Sequence, residues 1–190
     1  MIQIVEFSEL SQFQLQQAVR ILCECFANTP SVYADLSQAD SEVARFIFGE
    51  ECGALAALDG ADVRGWIGWL EGYSHAWELH PLVVDPSHQG RGIGTSLVRA
   101  LEHRARSAGM ISLWLGADDE AGGTNLYGVD VLPGALKHAT TVQPSDQQRH
   151  PIAFYRKVGF EVVGLLPDVN GFGKPDILMA KRLSAPASVR

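Results

Sequence analysis

The sequence predicts an α/β (α+β) fold, a single domain in which a mixed sheet carries helices on both faces. Three observations predict it. The 190 residues, 46% of them apolar, suffice for one domain with a full core. Strand-like and helix-like periodicities follow one another in the order β-α-α-β-β-β-α-β-α-β-β. No apolar run approaches the ~20 residues that a bilayer span requires.

Residues 2–5, IQIV, alternate as a short strand. Ser11 with Gln14 offers a capping box, and Leu15, Val19, Leu22 and Phe26 then recur at helical spacing until Asn28-Thr29-Pro30. Ala39, Val43, Phe46 and Ile47 suggest a second, shorter helix. The stretch GALAALDGADVRGWIGWLEG reads as two strands joined by a turn at Asp59-Gly60, and AWELHPLVV as another strand. From Thr95, the residues Leu97, Val98, Leu101, Ala105 and Ala108 form one face of a helix that Gly109 ends. MISLWLGA is continuously apolar and is expected to be a strand buried on both faces. Residues 118–150 are irregular, with a helical turn at VLPGALKHA; a segment of that length is functional or disordered. PIAFYRKVGF then predicts a helix with Pro151 in its first turn, and EVVGLLP and DILMAKRL predict the last two strands.

The net charge of -7 disfavours nucleic acid and favours cationic partners. Its distribution is uneven. Between Ile21 and Val63, Glu24, Asp35, Asp40, Glu42, Glu50, Glu51, Asp59 and Asp62 face a single base, Arg45, and between Arg106 and Lys137 every charge is acidic. If the two segments share a cleft they attract a polycation; otherwise they are solvated faces. The cysteines, Cys23, Cys25 and Cys52, follow no metal-ligand spacing and read as free thiols, and no metal is expected. The start, MIQIVEFSEL, lacks a basic segment followed by an apolar core, so no signal peptide is expected and the expected compartment is the cytosol.

The stretch VVDPSHQGRGIGTSLV runs from a strand through a glycine turn into a helix. Glycines at 90, 92 and 94 let successive N–H groups point outward just where the helix dipole begins, which makes an anion site. No Lys-Ser/Thr follows the last glycine, so the turn is not a Walker loop, and no βαβ half precedes it as a dinucleotide fingerprint would require.

Gln89-Gly90-Arg91-Gly92-Ile93-Gly94 resembles the pyrophosphate loop, Q/R-x-x-G-x-G/A, of the GCN5-related N-acetyltransferase (GNAT) family, and AFYRKVGF resembles that family's later helix-to-strand motif. GWIG, WELHPLVV, LEHRAR, LGADDE and KPDILM further resemble the aminoglycoside 6'-N-acetyltransferases. The resemblance implies a domain over residues 1–184 with 118–150 as a long irregular insertion and 185–190 as a frayed tail. Its mostly antiparallel sheet would splay into a V between two central strands. Acetyl-CoA is the implied cosubstrate. The amides of Gln89, Gly90, Arg91, Gly92, Ile93, Gly94 and Thr95 would hold its pyrophosphate, with Arg91 adding a charged contact. Leu82, Val83 and Val84 would pair with the pantetheine arm, and the amide near Leu82 would polarise the thioester carbonyl. The family often carries Asn seven residues before the tyrosine of the later helix; here that position is Gln148, a departure. A homodimer is a further implication.

Acyl transfer to an amine needs a neutral nucleophile, a polarised carbonyl and a protonated leaving thiolate. Tyr155 is the family's tyrosine beside the thioester sulfur, although a core tyrosine has the same pattern. Glu78 and Asp118 are the candidate bases and ammonium ligands. Strand alternation puts Glu78, His80 and Leu82 on one face, with Trp77 and Leu79 on the other, so His80 joins the site as a second binding or proton-shuttling group. Asp119 and Glu120 suit further ammonium groups, Asp176 and Asp168 are weaker candidates, and Trp66, Trp69 and Tyr73 are expected to wall the pocket. The leading reading is acetylation of an aminoglycoside 6'-amine, conferring resistance. The alternatives are acetylation of another amine (a polyamine, a small metabolite or a protein N-terminus) and an inactive acyl-CoA sensor.

Overall fold

The computed structural model describes residues 1–27, 33, 35–146 and 150–183. The expected helix stop at Asn28-Thr29-Pro30, the departure at Gln148 and the tail beyond Leu183 lie outside the described residues. Contacts divide the chain into two compact units, residues 1–111 with Leu183, and Ser112–Arg182. No helix among the described residues is long and apolar enough to cross a membrane.

The first unit holds β1 (Ile2–Glu6), α1 (Gln12–Cys25), α2 (Leu36–Phe48), β2 (Cys52–Asp59), β3 (Asp62–Tyr73), β4 (Ala76–Val84) and α3 (Ile93–Ser107). Its strands form the antiparallel order β1-β2-β3-β4. Local chemistry sets the boundaries. The Ser11 hydroxyl accepts from the Gln14 amide at 3.4 Å while Gln14 Oε1 accepts from the Ser11 amide at 2.9 Å, closing the capping box. Gly60 turns the β2–β3 hairpin at φ 63°, and Gly109, at φ 82°, ends α3 with Met110 N–H donating to the Ala105 carbonyl at 2.9 Å.

Helices α1 and α2 lay Ala18, Ile21, Leu22, Val43 and Phe46 over one face of this sheet. At the centre of that face lies Trp66, 0% exposed, its indole N–H donating to the Ala18 carbonyl at 3.1 Å. Trp66 is therefore a core residue and not a pocket wall, because its ring packs against Phe7 and Phe46 at 5.1 and 5.7 Å between centroids. Trp69 is likewise no wall. It faces the other way, buried, stacked on Trp77 at 5.0 Å and covered by the Arg104 guanidinium of α3 at 5.6 Å.

Strand β4 departs from simple alternation. Ile67 of β3 pairs with Leu82 and Trp69 pairs with Leu79, so β3 advances two residues while β4 advances three. The extra residue is a bulge at His80-Pro81, where the proline's missing N–H costs no ladder bond. Opposite it lies Gly68, where a Cβ would collide with the His80 carbonyl and press on the Phe46 ring. Cross-strand partners share a face, so Glu78, paired with Leu70, lies on the α1/α2 side together with Val83, paired with Trp66. Leu82, paired with Ile67, lies on the α3 side. The expectation that Leu82 shares a face with Glu78 and His80 is corrected by this bulge.

The second unit holds β5 (Ser112–Asp118), α4 (Ala135–Thr141), α5 (Ile152–Lys157), β6 (Glu161–Leu166) and β7 (Asp176–Arg182), with the antiparallel order β5-β7-β6. The expectation that β5 is buried on both faces is also corrected. Only Leu113, Leu115 and Ala117 are buried, while Gly116 and Asp118 are exposed, so the strand is two-faced despite its apolar sequence. Within the long irregular segment, α4 starts at Gly134, φ 85°, and Thr124 bridges Pro144.

Trp66→Ala removes a fully enclosed indole, and the unfolding free energy should fall by about 3–5 kcal/mol, measured by urea denaturation; a loss under ~1 kcal/mol would contradict its place in the core.

Candidate active site

The turn between β4 and α3 is built from its first residue. Asp85 is buried, and its Oδ1 accepts from the Ser87 amide at 2.9 Å and the Ser87 hydroxyl at 2.6 Å. Its Oδ2 lies 3.2 Å from His88 Nδ1 and 3.8 Å from Arg64 Nη1. Burial works to raise the Asp85 pKa, but the Ser87 hydrogen bonds and His88 outweigh it and hold the carboxyl below its usual range. A fixed carboxylate thus anchors the start of the turn. The Arg91 guanidinium donates to the Ser87 carbonyl at 3.2 Å, which keeps its charge over the loop.

Gly90 and Gly92 adopt φ 76° and 84°, and a Cβ at either would meet nothing within 4 Å. Glycine is required there by backbone conformation, and the space beside both is open. Among the described residues, no backbone amide from Gly92 to Thr95 donates to another group of the chain; the first amide of α3 to find a helical partner is Ser96, to Gly92 at 3.0 Å. Unpaired N–H groups and the positive end of a helix 15 residues long converge on one exposed surface, a cradle fitted to a phosphate-type anion. The strand edge feeding it is partly occupied. The Val84 carbonyl accepts from Cys25 Sγ at 3.3 Å and Gln89 Nε2 at 3.1 Å, so that group is not free to pair with a ligand arm.

Further up β4, Glu78 is half-buried, and burial pushes its carboxyl above the usual value despite the opposing fields of His80 and Arg45. His80 projects from the bulge toward α2. Its Nε2 lies 3.4 Å from Glu42 Oε1 and 3.2 Å from the Tyr33 hydroxyl. Burial, with Glu42 adding to it, raises the Tyr33 phenol well above its ordinary value. Glu42 and Tyr33 are absent from the sequence-derived candidates. Glu42 carries a signal only as one acid among many, and Tyr33 carries none. Tyr73, at the end of β3, is 68% exposed, where a ligand can reach it.

In the second unit, the expectation for Asp119 is corrected. It is buried, and its carboxylate accepts from the amides of Gly122 (3.1 Å), Gly123 (2.7 Å) and Thr124 (3.0 Å) and from the Thr124 hydroxyl at 2.6 Å. A carboxylate with four internal donors organises its loop and has nothing left for a substrate ammonium. Asp168 plays a similar turn-forming part, accepting from the Gly173 amide at 2.8 Å. Asp118 is exposed, and its side chain accepts from Asn170 Nδ2. Asp176 is its register partner, with its carboxylate lying over Gly116, where a Cβ would strike it. Glu120 is half-buried. Tyr155, on α5, is buried among Phe154 and Phe160, and burial raises its phenol far above the ordinary value.

The sequence profile of the family described as Acetyltransferase (GNAT) matches residues 15–128. A crystal structure of an aminoglycoside 6'-N-acetyltransferase complexed with coenzyme A is similar at 35% identity and a TM-score of 0.88, over 98% of this chain and 99% of that one. The aminoglycoside 6'-N-acetyltransferase from Enterococcus faecium is similar at 34% identity and a TM-score of 0.85, again over 98% and 99%. An uncharacterized N-acetyltransferase of Methanocaldococcus jannaschii is 39% identical over 57 residues, a stretch that spans 29% of this chain and only 25% of that relative.

Gly92→Ala places a Cβ at positive φ, a strain of about 1–2 kcal/mol. The exposed loop relieves that strain by leaving the left-handed conformation, and coenzyme A must restore it, so the ligand titrated calorimetrically should bind up to about 5- to 30-fold more weakly; unchanged affinity would remove the glycine turn from the site.

Proposed function

Since this chain belongs to the acetyltransferase (GNAT) family, with acetyl-CoA as its cosubstrate, we propose that it acetylates the 6'-amino group of aminoglycosides and so confers resistance to them. The observation that carries this reading is the end-to-end similarity, over 98% of the chain, to aminoglycoside 6'-N-acetyltransferases.

Acetyl-CoA, when bound, supplies a thioester, an acyl group activated toward amines. The cradle from Gln89 to Thr95 holds its pyrophosphate, and Arg91 adds a charge-assisted contact. The amide near Leu82 stabilises the negative charge that develops on the carbonyl oxygen. Glu78 takes the role of ammonium ligand, because a half-buried carboxylate offers an ion pair less screened than one in open water. Asp118 is the weaker ligand of the two, since Asn170 already engages it. Tyr155 serves as proton donor to the departing thiolate. Burial keeps its phenol protonated, which suits a donor and rules out a base at neutral pH.

Thiol release from acetyl-CoA should occur with kanamycin and tobramycin and vanish with a kanamycin analogue bearing hydroxyl in place of the 6'-amine. Turnover of spermidine or an N-terminal peptide alone would sink the drug reading and keep the acetyltransferase. Tyr155→Phe should lower kcat by about 10²-fold with coenzyme A affinity unchanged; full activity in this variant would dismiss the tyrosine as donor.

A further inference from the structure

The His80 imidazole has one edge enclosed and one edge open. Its Nε2 faces Glu42 Oε1 at 3.4 Å and the Tyr33 hydroxyl at 3.2 Å, whereas among the described residues no group pairs with Nδ1. The His80 side chain is 37% exposed and that of Glu42 only 15%, so the open edge faces outward and the carboxylate lies behind it. The charged and titratable groups around the ring are Glu42 and Arg45 of α2, Tyr33 ahead of α2, and Glu78 on the same strand. Arg45 Nη1 approaches Glu42 Oε1 at 3.6 Å, and the neighbouring imidazole holds Glu42 below the usual carboxylate range against its burial. Glu42 is thus ionised and can only accept. The Tyr33 phenol donates its own proton to the Glu42 carboxylate, so its oxygen, like the carboxylate, can only accept from Nε2; two acceptors against Nε2 select the tautomer with hydrogen on Nε2 and leave the lone pair on Nδ1, at the open edge.

We propose that Glu42 is a positioning residue for amine acetylation, fixing the His80 tautomer whose Nδ1 takes the proton that the substrate ammonium must lose. The proposal rests on the amine-acetylation reading above and divides its labour. Glu78 binds the ammonium, and His80 deprotonates it. The ammonium N–H bond breaks, its electron pair stays on nitrogen, and the proton binds Nδ1. The amine pair then forms the N–C bond to the acetyl carbon, the C–S pair departs on sulfur, and a second N–H proton is lost as sulfur is protonated. The imidazolium, its charge balanced by Glu42, returns its proton to water at the exposed edge. The sum is ammonium plus thioester giving amide, thiol and one free proton.

Two measurements test this. Nitrogen-15 NMR of the imidazoles, with His80 assigned by its loss in His80→Gln, should show the Nε2–H tautomer in the native chain and loss of that preference in Glu42→Gln. An Nδ1–H tautomer in the native chain, or no change in Glu42→Gln, overturns the proposal. In turnover, Glu42→Gln should lose about 10- to 100-fold in kcat with the KM for acetyl-CoA unchanged. Glu42→Asp should recover part of that loss, and Glu42→Gln with His80→Gln together should be no slower than His80→Gln alone. Multiplying losses overturn it. If the native chain acetylates no amine, the acetylation reading fails, while the NMR still decides whether Glu42 sets the tautomer; if Glu42→Gln does not fold, Glu42→Asp supplies the spectrum.

Discussion

The extra residue that β4 carries opposite Gly68 turns the strand over partway along its length. Before it, Glu78 lies on the side of α2; after it, Leu82 lies on the side of α3. One strand of nine residues can thus present acid–base side chains to one face and a backbone edge leading into the anion turn. Both neighbours accept the bulge for simple reasons. Pro81 lacks the N–H that a regular ladder would strand, and Gly68 has no Cβ to meet the His80 carbonyl. The same bulge aims His80 at α2, where Glu42 receives it. Removing the bulge would restore regular alternation, and Glu78 and Val83 could no longer share a face.

An acidic chain that binds a polyanion poses an electrostatic question, and distance answers it. At physiological salt, exposed charges farther apart than about 8 Å are largely screened. What matters at the cradle is the local set: unpaired amides, the end of α3, Arg91 and the turn beneath them. The acid nearest the loop in sequence, Asp85, is spent on Ser87, His88 and Arg64 and presents no bare charge to the ligand. Most acids of the Ile21–Val63 stretch, including Asp40, Glu50 and Glu51, are exposed and solvated, so the sum of -7 describes solubility there rather than a binding surface.

Signals that act within a few residues were legible. The Ser11–Gln14 box, the Asp59-Gly60 turn, Gly109 and the glycine loop each carry their own local physics, and each appears where the pattern places it. The departures arise where tertiary context decides. Trp66 and Trp69 look alike in sequence, yet one meets α1 and α2 and the other meets Arg104. Asp119 reads as a free loop acid until the amides of Gly122, Gly123 and Thr124 fold back onto it; the small residues three to five positions on were the available clue. The bulge also had a sign, a proline inside an otherwise regular strand. The pairing of Glu42 with His80 had none, because 38 residues separate them and only the packing of α2 on the sheet joins them.

Glu42 stays ionised through its partners and against its burial. Desolvating a carboxylate costs several kcal/mol, and ion pairs in such surroundings return that cost only with good geometry and further hydrogen bonds. Here Oε1 is enclosed between Nε2 of His80 at 3.4 Å and Arg45 at 3.6 Å, and these partners with Tyr33 outweigh the burial and hold the carboxyl below its usual range. An apolar residue on the same turn of α2, beside Val43 and Phe46, would extend the core that Trp66 centres. The arrangement forgoes that gain and instead keeps an acceptor against the inner nitrogen of a half-open histidine. Strain points the same way. Tyr33, which closes the cluster, holds a left-handed φ of 52°, a conformation that costs a non-glycine residue about 1–2 kcal/mol. A cluster that strains its phenol, keeps an ionised acid behind an imidazole and, among the described residues, leaves the other imidazole nitrogen without a partner has the arrangement expected of a site that moves protons.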